Sequence, residues 1–125
     1  KTKRIWLKLS TILLLVGTAA AWLSIYTGNL ADGIVSRTLC DPTVLKDHQN
    51  AAYITAYIFS AACLVLSWRT WARTQIFPRY LYLLGLALLL TGTAYLGYTG
   101  HQGASLVYQQ AAGVYVPAED CQEWE

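Results

Sequence analysis

Two histidines are the residues of this sequence best suited to hold a redox cofactor. His48 lies about 24 residues from the inner end of its predicted helix, and His101 lies about 22 residues from the inner end of the next one. At about 1.5 Å per residue these rises are about 36 and 33 Å, so the two imidazoles are predicted at nearly the same depth. Imidazoles at matching height on two helices can serve as axial ligands of haem iron. The spacing therefore predicts a b-type haem bound by His48 and His101.

Small and aromatic residues surround the predicted cofactor position. Gly97 and Gly100 precede His101 and leave room for a flat ring, and Tyr53 and Tyr98 lie at a similar depth. The same residues also fit a structural interpretation, because tyrosines gather at membrane interfaces and small residues allow helices to approach closely. The small residues form a stripe on one helix face: Thr93, Gly97, Gly100 and Ala104.

Other chemistries find less support in the sequence. No Cys-x-x-Cys-His motif occurs, which excludes covalent c-type haem. Zinc would require Asp47, His48 and His101 to meet. No glycine-rich phosphate loop, His-Glu-x-x-His or Gly-x-Ser-x-Gly motif is present, so a stand-alone hydrolase or NTPase is not indicated. An electron-transfer or accessory subunit fits better than a stand-alone enzyme, and the two histidines could also be plain boundary residues.

Three long apolar stretches must position these residues. The chain has 125 residues, of which 55% are hydrophobic and only 13% charged, and about 20 apolar residues suffice to cross a bilayer. We predict a single all-α integral membrane domain, 1–125, with three transmembrane helices and a second helix whose N-cap is Asp41, followed by Pro42. The predicted spans are 6–28, 48–72 and 79–101, with an outer loop at 29–47, a cytoplasmic connection at 73–78 and an outer tail at 102–125.

The charge distribution predicts the orientation. Seven basic residues flank the N-terminus and the second connection without any acidic residue among them: Lys1, Lys3, Arg4, Lys8, Arg69, Arg73 and Arg79. All seven carboxylates lie in the other loop or in the tail. Because basic flanks stay cytoplasmic, the N-terminus is predicted inside and the C-terminus outside, in the bacterial inner membrane. An acidic outer face argues against nucleic acid and suits a basic periplasmic cytochrome.

Cysteines and the chain start add two expectations. Cys40 in the outer loop and Cys121 in the tail could form a disulfide in an oxidising periplasm, or remain unrelated thiols. Cys63 is expected to be a small apolar core residue. The sequence contains no methionine, so we expect either a processed start or further sequence upstream of Lys1.

Short glycine-containing motifs run along the third helix and just beyond it: Thr91-Gly92, Gly97, Gly100-His101-Gln102-Gly103, Leu106-Val107-Tyr108 and Gly113-Val114. Thr27-Gly28 with Asp32 and then His48 with Asn50 precede them in the chain. In this order the motifs resemble the closing helix, and the two helices before it, of a bacterial membrane family catalogued as domain of unknown function 2231. The resemblance covers about residues 11–116. It implies a respiratory or redox setting, because some members of that family are joined to Rieske-type or cytochrome-like modules.

Two departures from the family pattern stand out. The family's first helix, with its His-Pro and second histidine, has no counterpart before Lys1, and Gln109-Gln110-Ala111-Ala112 replaces a basic or His-Gly stretch.

The leading hypothesis is a small membrane redox subunit, a b-haem electron carrier in respiratory or photosynthetic electron transfer. One alternative is a non-catalytic accessory subunit of a larger membrane complex. The other is a quinone or small-molecule binding subunit that uses Trp22 and the tyrosines at the same depth. Three helices bury little of their own surface, so membrane lipid and other membrane subunits are the expected neighbours.

Overall fold

Three long helices make up the described part of the chain. The computed structural model describes residues 2–71 and 78–113, with helices α1 (Thr2–Val35), α2 (Pro42–Trp71) and α3 (Pro78–Tyr108). Each contains a segment long and apolar enough to cross a membrane: Ile5–Val35, Pro42–Trp68 and Arg79–Tyr108. The prediction of an all-helical chain with three such spans is confirmed, and the chain is a membrane protein by this criterion.

The helices are longer than the predicted spans. The sequence placed the end of the first span at 28, but α1 continues to Val35, and α3 continues past 101 to Tyr108. The glycines at 28 and 33 do not end α1, because the backbone ladder continues to Ser36, whose amide donates to the Asp32 carbonyl. The predicted connection at 73–78 falls almost wholly outside the described residues, and so does the tail from 114 onward.

A capping contact starts α2 where the sequence predicts it. The Thr43 amide donates to the Asp41 carboxylate at 2.8 Å and the Thr43 hydroxyl donates to the same oxygen at 2.6 Å. These bonds hold the pKa of the Asp41 carboxyl below its usual value. The Asp41 amide in turn donates to the Gln110 side chain at 3.0 Å, which ties the connection to the end of α3. The predicted Asp41–Pro42 helix start is confirmed.

Helix α2 is the central element, and α3 packs along it through a repeat of seven residues. The buried residues of α3 are Gly85, Gly92, Thr99 and Leu106. Gly85 and Gly92 face Leu66 and the Ile58–Phe59 pair of α2 so closely that a side chain there would meet them. A seven-residue repeat keeps one helix face against its neighbour over many turns.

The stripe of small residues singled out in the sequence lies elsewhere on α3. Gly97 and Gly100 have open space where a side chain would begin, and Thr93 is exposed. In the described part of the chain the α1 backbone lies close to α2 and does not approach α3. Two clefts lie beside α2, each lined by residues of all three helices.

Candidate functional site

A cleft between the three helices contains one of the two histidines. This cleft, here called the His48 cleft, has a volume of about 330 Å³, within the range of small-molecule sites. Its lining from α1 is Ala21, Ser24, Ile25, Gly28 and Asn29; from α2 it is Leu45, His48, Gln49, Ala52, Tyr53, Thr55 and Ala56; and from α3 it is Leu96 and Thr99. The walls are mostly apolar. The polar side chains of Asn29, His48 and Gln49 lie toward the end of the cleft nearest the 36–41 connection. The backbones of α1 and α3 do not approach each other in the described chain, and the cleft between them is partly open.

The His48 ring is held in place by α3. Its Nδ1 lies 3.1 Å from the backbone carbonyl oxygen of Thr99. A carbonyl oxygen only accepts, so Nδ1 must carry the hydrogen, and in the neutral ring Nε2 then carries the lone pair. The described residues supply no hydrogen-bond partner to Nε2. The half-buried ring therefore has one fixed nitrogen and one available nitrogen.

A glycine makes room for the ring. A Cβ added at Gly103 would lie 3.2 Å from the His48 Cε1 atom, tighter than ordinary contact. Thr99 and Gly103 are one turn apart on α3, so the imidazole sits against a single face of that helix. Beneath it, the hydroxyls of Thr55 and Thr99 lie 3.0 Å apart across the α2–α3 interface. The contacts together fix the His48 side chain between α2 and α3.

Tyr53 forms a second polar wall of the cleft, together with Asn29. The Asn29 amide donates to the Tyr53 hydroxyl at 2.6 Å, which leaves the hydrogen of that hydroxyl available for a ligand. The Trp22 ring meets Tyr53 and Tyr57 edge to face, with centroids 6.3 and 5.2 Å apart. Its indole N–H donates to Ser60 at 3.0 Å. The aromatic group thus joins α1 to α2 and orients Tyr53.

An ion pair adjoins Gln49, one of the residues that line the cleft. Lys46 donates to the Asp32 carboxylate and to the Gln49 side-chain oxygen, both at 3.0 Å. Because Gln49 lines the cleft, this network links its polar end to the exposed Lys46 ammonium group. The ion pair also joins α1 to α2 at this end.

The structure does not bring the second histidine to the cleft. His101 is exposed and lies two residues from both Thr99 and Gly103, which corresponds to about 200° around the helix from Thr99. Because His48 lies beside Thr99 and Gly103, His101 is level with it along the helix. The rotation of about 200° directs the His101 side chain away from α2. The two imidazoles of one chain do not face each other.

The other predicted cofactor-binding residues divide in the same way. Tyr53 lines the cleft, whereas Gly97, Gly100 and Tyr98 lie on the exposed surface of α3. The Tyr98 hydroxyl accepts a hydrogen bond from Gln102 at 2.9 Å instead of facing α2. Of the six predicted residues, the structure brings together only His48 and Tyr53.

Metal and cysteine predictions have separate outcomes. Within residues 2–71 and 78–113, no group of three histidine, cysteine or carboxylate side chains could hold a metal ion, so the zinc alternative finds no support there. Cys40 is disulfide-bonded, and Cys63 is free and buried, as expected of a core residue. The predicted partner, Cys121, lies outside the described residues.

Sequence reasoning did not single out Thr99, Asn29 and Gln49, which line the cleft, and it did not show that Gly103 packs against the His48 ring. The spacing of Gly85, Gly92, Thr99 and Leu106 carried a signal for the first of these, since a small or apolar residue at every seventh position marks a packed helix face. The contribution of Asn29 and Gln49 depends on how α1 lies against α2, for which the sequence holds no comparable pattern.

Comparison of the chain with known protein families, with curated proteins and with solved structures gives no match. The resemblance to the family of unknown function therefore stays a prediction.

Proposed function

We propose that this protein is a membrane redox subunit that binds the ring of a quinol in the His48 cleft. The observation that carries the proposal is the His48 imidazole, fixed through Nδ1 by the Thr99 carbonyl, with Nε2 available in a mostly apolar cleft. A neutral ring in this tautomer accepts a hydrogen bond at Nε2. The hydroxyl of a reduced quinone is a donor of the matching kind.

The second hydroxyl oxygen of the quinol ring has a hydrogen-bond donor as its partner, whereas the first has an acceptor. Tyr53 accepts from Asn29 and keeps its own hydrogen to donate. A quinol ring held between His48 and Tyr53 therefore meets an acceptor on one side and a donor on the other. The apolar walls formed by Ile25, Leu45 and Leu96 suit the ring faces.

The position of the cleft suits a ligand that arrives from the membrane. The two flanking helices, α1 and α3, leave a sideways opening between them, and lipid-soluble molecules can enter there without crossing a polar surface. A water-soluble metabolite would gain little from such apolar walls. Apolar character with a few convergent polar groups is typical of small-molecule sites.

The proposed setting follows from the charges and from the family resemblance. The basic N-terminal flank favours an orientation with the N-terminus in the cytoplasm and the 36–41 connection outside. The His48 cleft would then lie near the outer surface of a bacterial inner membrane. The acidic loop and tail would suit a basic periplasmic cytochrome, and neighbouring membrane subunits would cover the remaining apolar surface.

A b-type haem is the second candidate, favoured by one observation. Metal-bound imidazoles almost always donate their other ring N–H to a carbonyl or carboxylate, and His48 does so to Thr99. His101 of the same chain points away, so the second axial ligand would come from His101 of a second copy or from a partner subunit. An absorption spectrum of the reduced protein tests this candidate, since a haem gives a sharp α-band and a quinol does not.

Equilibrium binding of a short-tailed quinol to the purified protein tests the leading proposal. We expect His48→Ala to weaken binding by about tenfold or more, the effect of losing a hydrogen bond worth about 1.4 kcal/mol. His101→Ala is the matched control and should bind as the wild type does. Equal affinity of the wild type and His48→Ala would reject the proposal, and absence of binding to either would favour the accessory-subunit alternative.

A further inference from the structure

A second cleft lies in the same gap between α1 and α3, nearer the other end of the bundle. This cleft, here called the Leu86 cleft, has a volume of about 500 Å³. Most of its lining is leucine, from all three helices. The hydroxyls of Ser10 and Thr11, which also line it, both donate to the Leu7 carbonyl at 3.0 and 2.9 Å. The cleft therefore presents a mainly apolar surface that suits a hydrocarbon chain.

One face of α1 lines both clefts. Leu7 and Leu14 belong to the Leu86 cleft, and Ala21 and Gly28 belong to the His48 cleft. These four residues follow each other at intervals of seven, so they lie along nearly one line on the helix. Both clefts thus open onto the same gap beside α2, and the Leu86 cleft continues the direction of the His48 cleft.

The segment of α1 between the two clefts contains a glycine. Gly17 lies three residues after Leu14 and four before Ala21, on the same helix face. No atom of the described chain outside its own local backbone lies within 4 Å of the place where a Gly17 side chain would begin. The neighbouring Thr18 turns its hydroxyl back to the Leu14 carbonyl at 2.8 Å. Gly17 therefore adds no side chain to the surface of α1 between the residues that line the two clefts.

We infer that the ligand of the His48 cleft carries a long isoprenoid tail, and that this tail runs past Gly17 into the Leu86 cleft. The inference rests on the proposed function and adds the class of quinol. From Gly28 to Leu7 the helix rises about 32 Å, close to the hydrocarbon thickness of about 30 Å. A groove of this length accommodates a tail that spans most of the bilayer, whereas a short-tailed ring would leave the Leu86 cleft to lipid.

Paired substitutions at two glycines test the inference. Gly17→Leu should obstruct the passage between the clefts, and Gly97→Leu is the matched control, since Gly97 also has open space but lies on the outward face of α3. Binding of a short-tailed and a long-tailed quinol is measured in nanodiscs of one defined phospholipid, at equal ligand per lipid. In the wild type and in Gly97→Leu, we expect the long-tailed quinol to bind several-fold more tightly. In Gly17→Leu that advantage should disappear while short-tailed binding is unchanged.

A photoreactive group at the tail end gives a measurement that needs no variant. After illumination of the wild-type protein with such a quinol, labelled peptides should come from residues 7–14 and 82–89. Labelling confined to phospholipid or to other segments would overturn the inference. So would an equal affinity for both quinols, or a tail advantage that survives in Gly17→Leu. In each of these outcomes short-tailed binding through His48 still stands, whereas failure of the wild type to bind either quinol removes the proposed function itself.

Discussion

At the scale of single residues, the fit between His48 and Gly103 decides the site. The Cβ of an alanine at position 103 would lie 3.2 Å from the ring, so the imidazole must shift by a few tenths of an ångström. We expect Gly103→Ala to weaken quinol binding several-fold, because this shift disturbs the 3.1 Å contact between His48 Nδ1 and the Thr99 carbonyl. Gly97→Ala adds the same methyl group on an open surface of the same helix and should leave binding unchanged. Equal effects of the two substitutions in a binding titration would contradict this account of the site.

Asp41 is a residue whose charge should be visible in the pH dependence of stability. The hydroxyl of Thr43, and then its amide, hold the pKa of the Asp41 carboxyl below its usual value of 3.8. A group with a depressed pKa in the folded state stabilises the fold above its unfolded pKa, and this contribution is lost as the pH falls through the folded pKa. The wild type should therefore melt at a higher temperature than Asp41→Ala at neutral pH, with a difference that shrinks below about pH 4.

Asp41→Asn is the control for that measurement, because asparagine keeps a capping oxygen but does not titrate. Its melting temperature should lie between those of the wild type and Asp41→Ala at neutral pH. A difference between wild type and Asp41→Ala that stays constant from pH 7 to pH 3 would show that the carboxylate charge does not contribute.

At the scale of elements, the hydroxyl pair between α2 and α3 is a measurable link. Thr55 and Thr99 are both buried, and their hydroxyl oxygens are 3.0 Å apart. Hydrogen bonds between membrane helices contribute about 0.6 kcal/mol on average and up to about 1.7 kcal/mol. We expect a coupling of that size in a double-mutant cycle with Thr55→Val and Thr99→Val, measured by unfolding in detergent. A cycle that pairs Thr55→Val with Thr93→Val, whose wild-type hydroxyl bonds only within its own helix in the described chain, should show no coupling.

The positions of the helices along the chain were predicted more accurately than the faces by which the helices pack. The length of the apolar stretches was enough to predict three helices. The Asp41–Pro42 pair was enough to predict where α2 begins. Both signals are local in the sequence. The sequence did not show which face of α3 meets α2. Two stripes of small residues compete there, one through Gly97 and Gly100 and one through Gly92 and Thr99. Only the packing against Ile58, Phe59 and His48 selects the second.

This choice of face explains why only part of the site could be predicted. His48 lies beside Thr99 and Gly103, which stand two residues before and after His101. The depth of a residue follows from counting positions along the helix, whereas the direction of its side chain follows from helix packing. A rotation of about 200° between Thr99 and His101 separates a residue that meets α2 from one that does not. The cleft residues from α1, such as Asn29, depend on an interhelical arrangement that no local sequence pattern encodes.

At the scale of the whole molecule, the separation of α1 from α3 creates the two clefts, and the orientation decides which side of the membrane the His48 cleft faces. We expect an alkaline phosphatase reporter fused after residue 125 to be active and one fused within 72–77 to be inactive. The physical reason is that basic residues flanking a span favour the cytoplasmic side of the membrane. The opposite pattern would place the His48 cleft toward the cytoplasm and remove the proposed periplasmic partner.

Nitrogen NMR of the imidazole rings tests the central claim most directly, because the chain contains only two histidines. The His101→Gln variant assigns the signals, and the spectrum reports which ring nitrogen carries the hydrogen. Our account predicts a hydrogen on Nδ1 of His48 and a shift of its Nε2 signal when a short-tailed quinol is added, while the His101 signals stay in place. A hydrogen on Nε2 of His48, or a quinol-dependent shift at His101 alone, would contradict it.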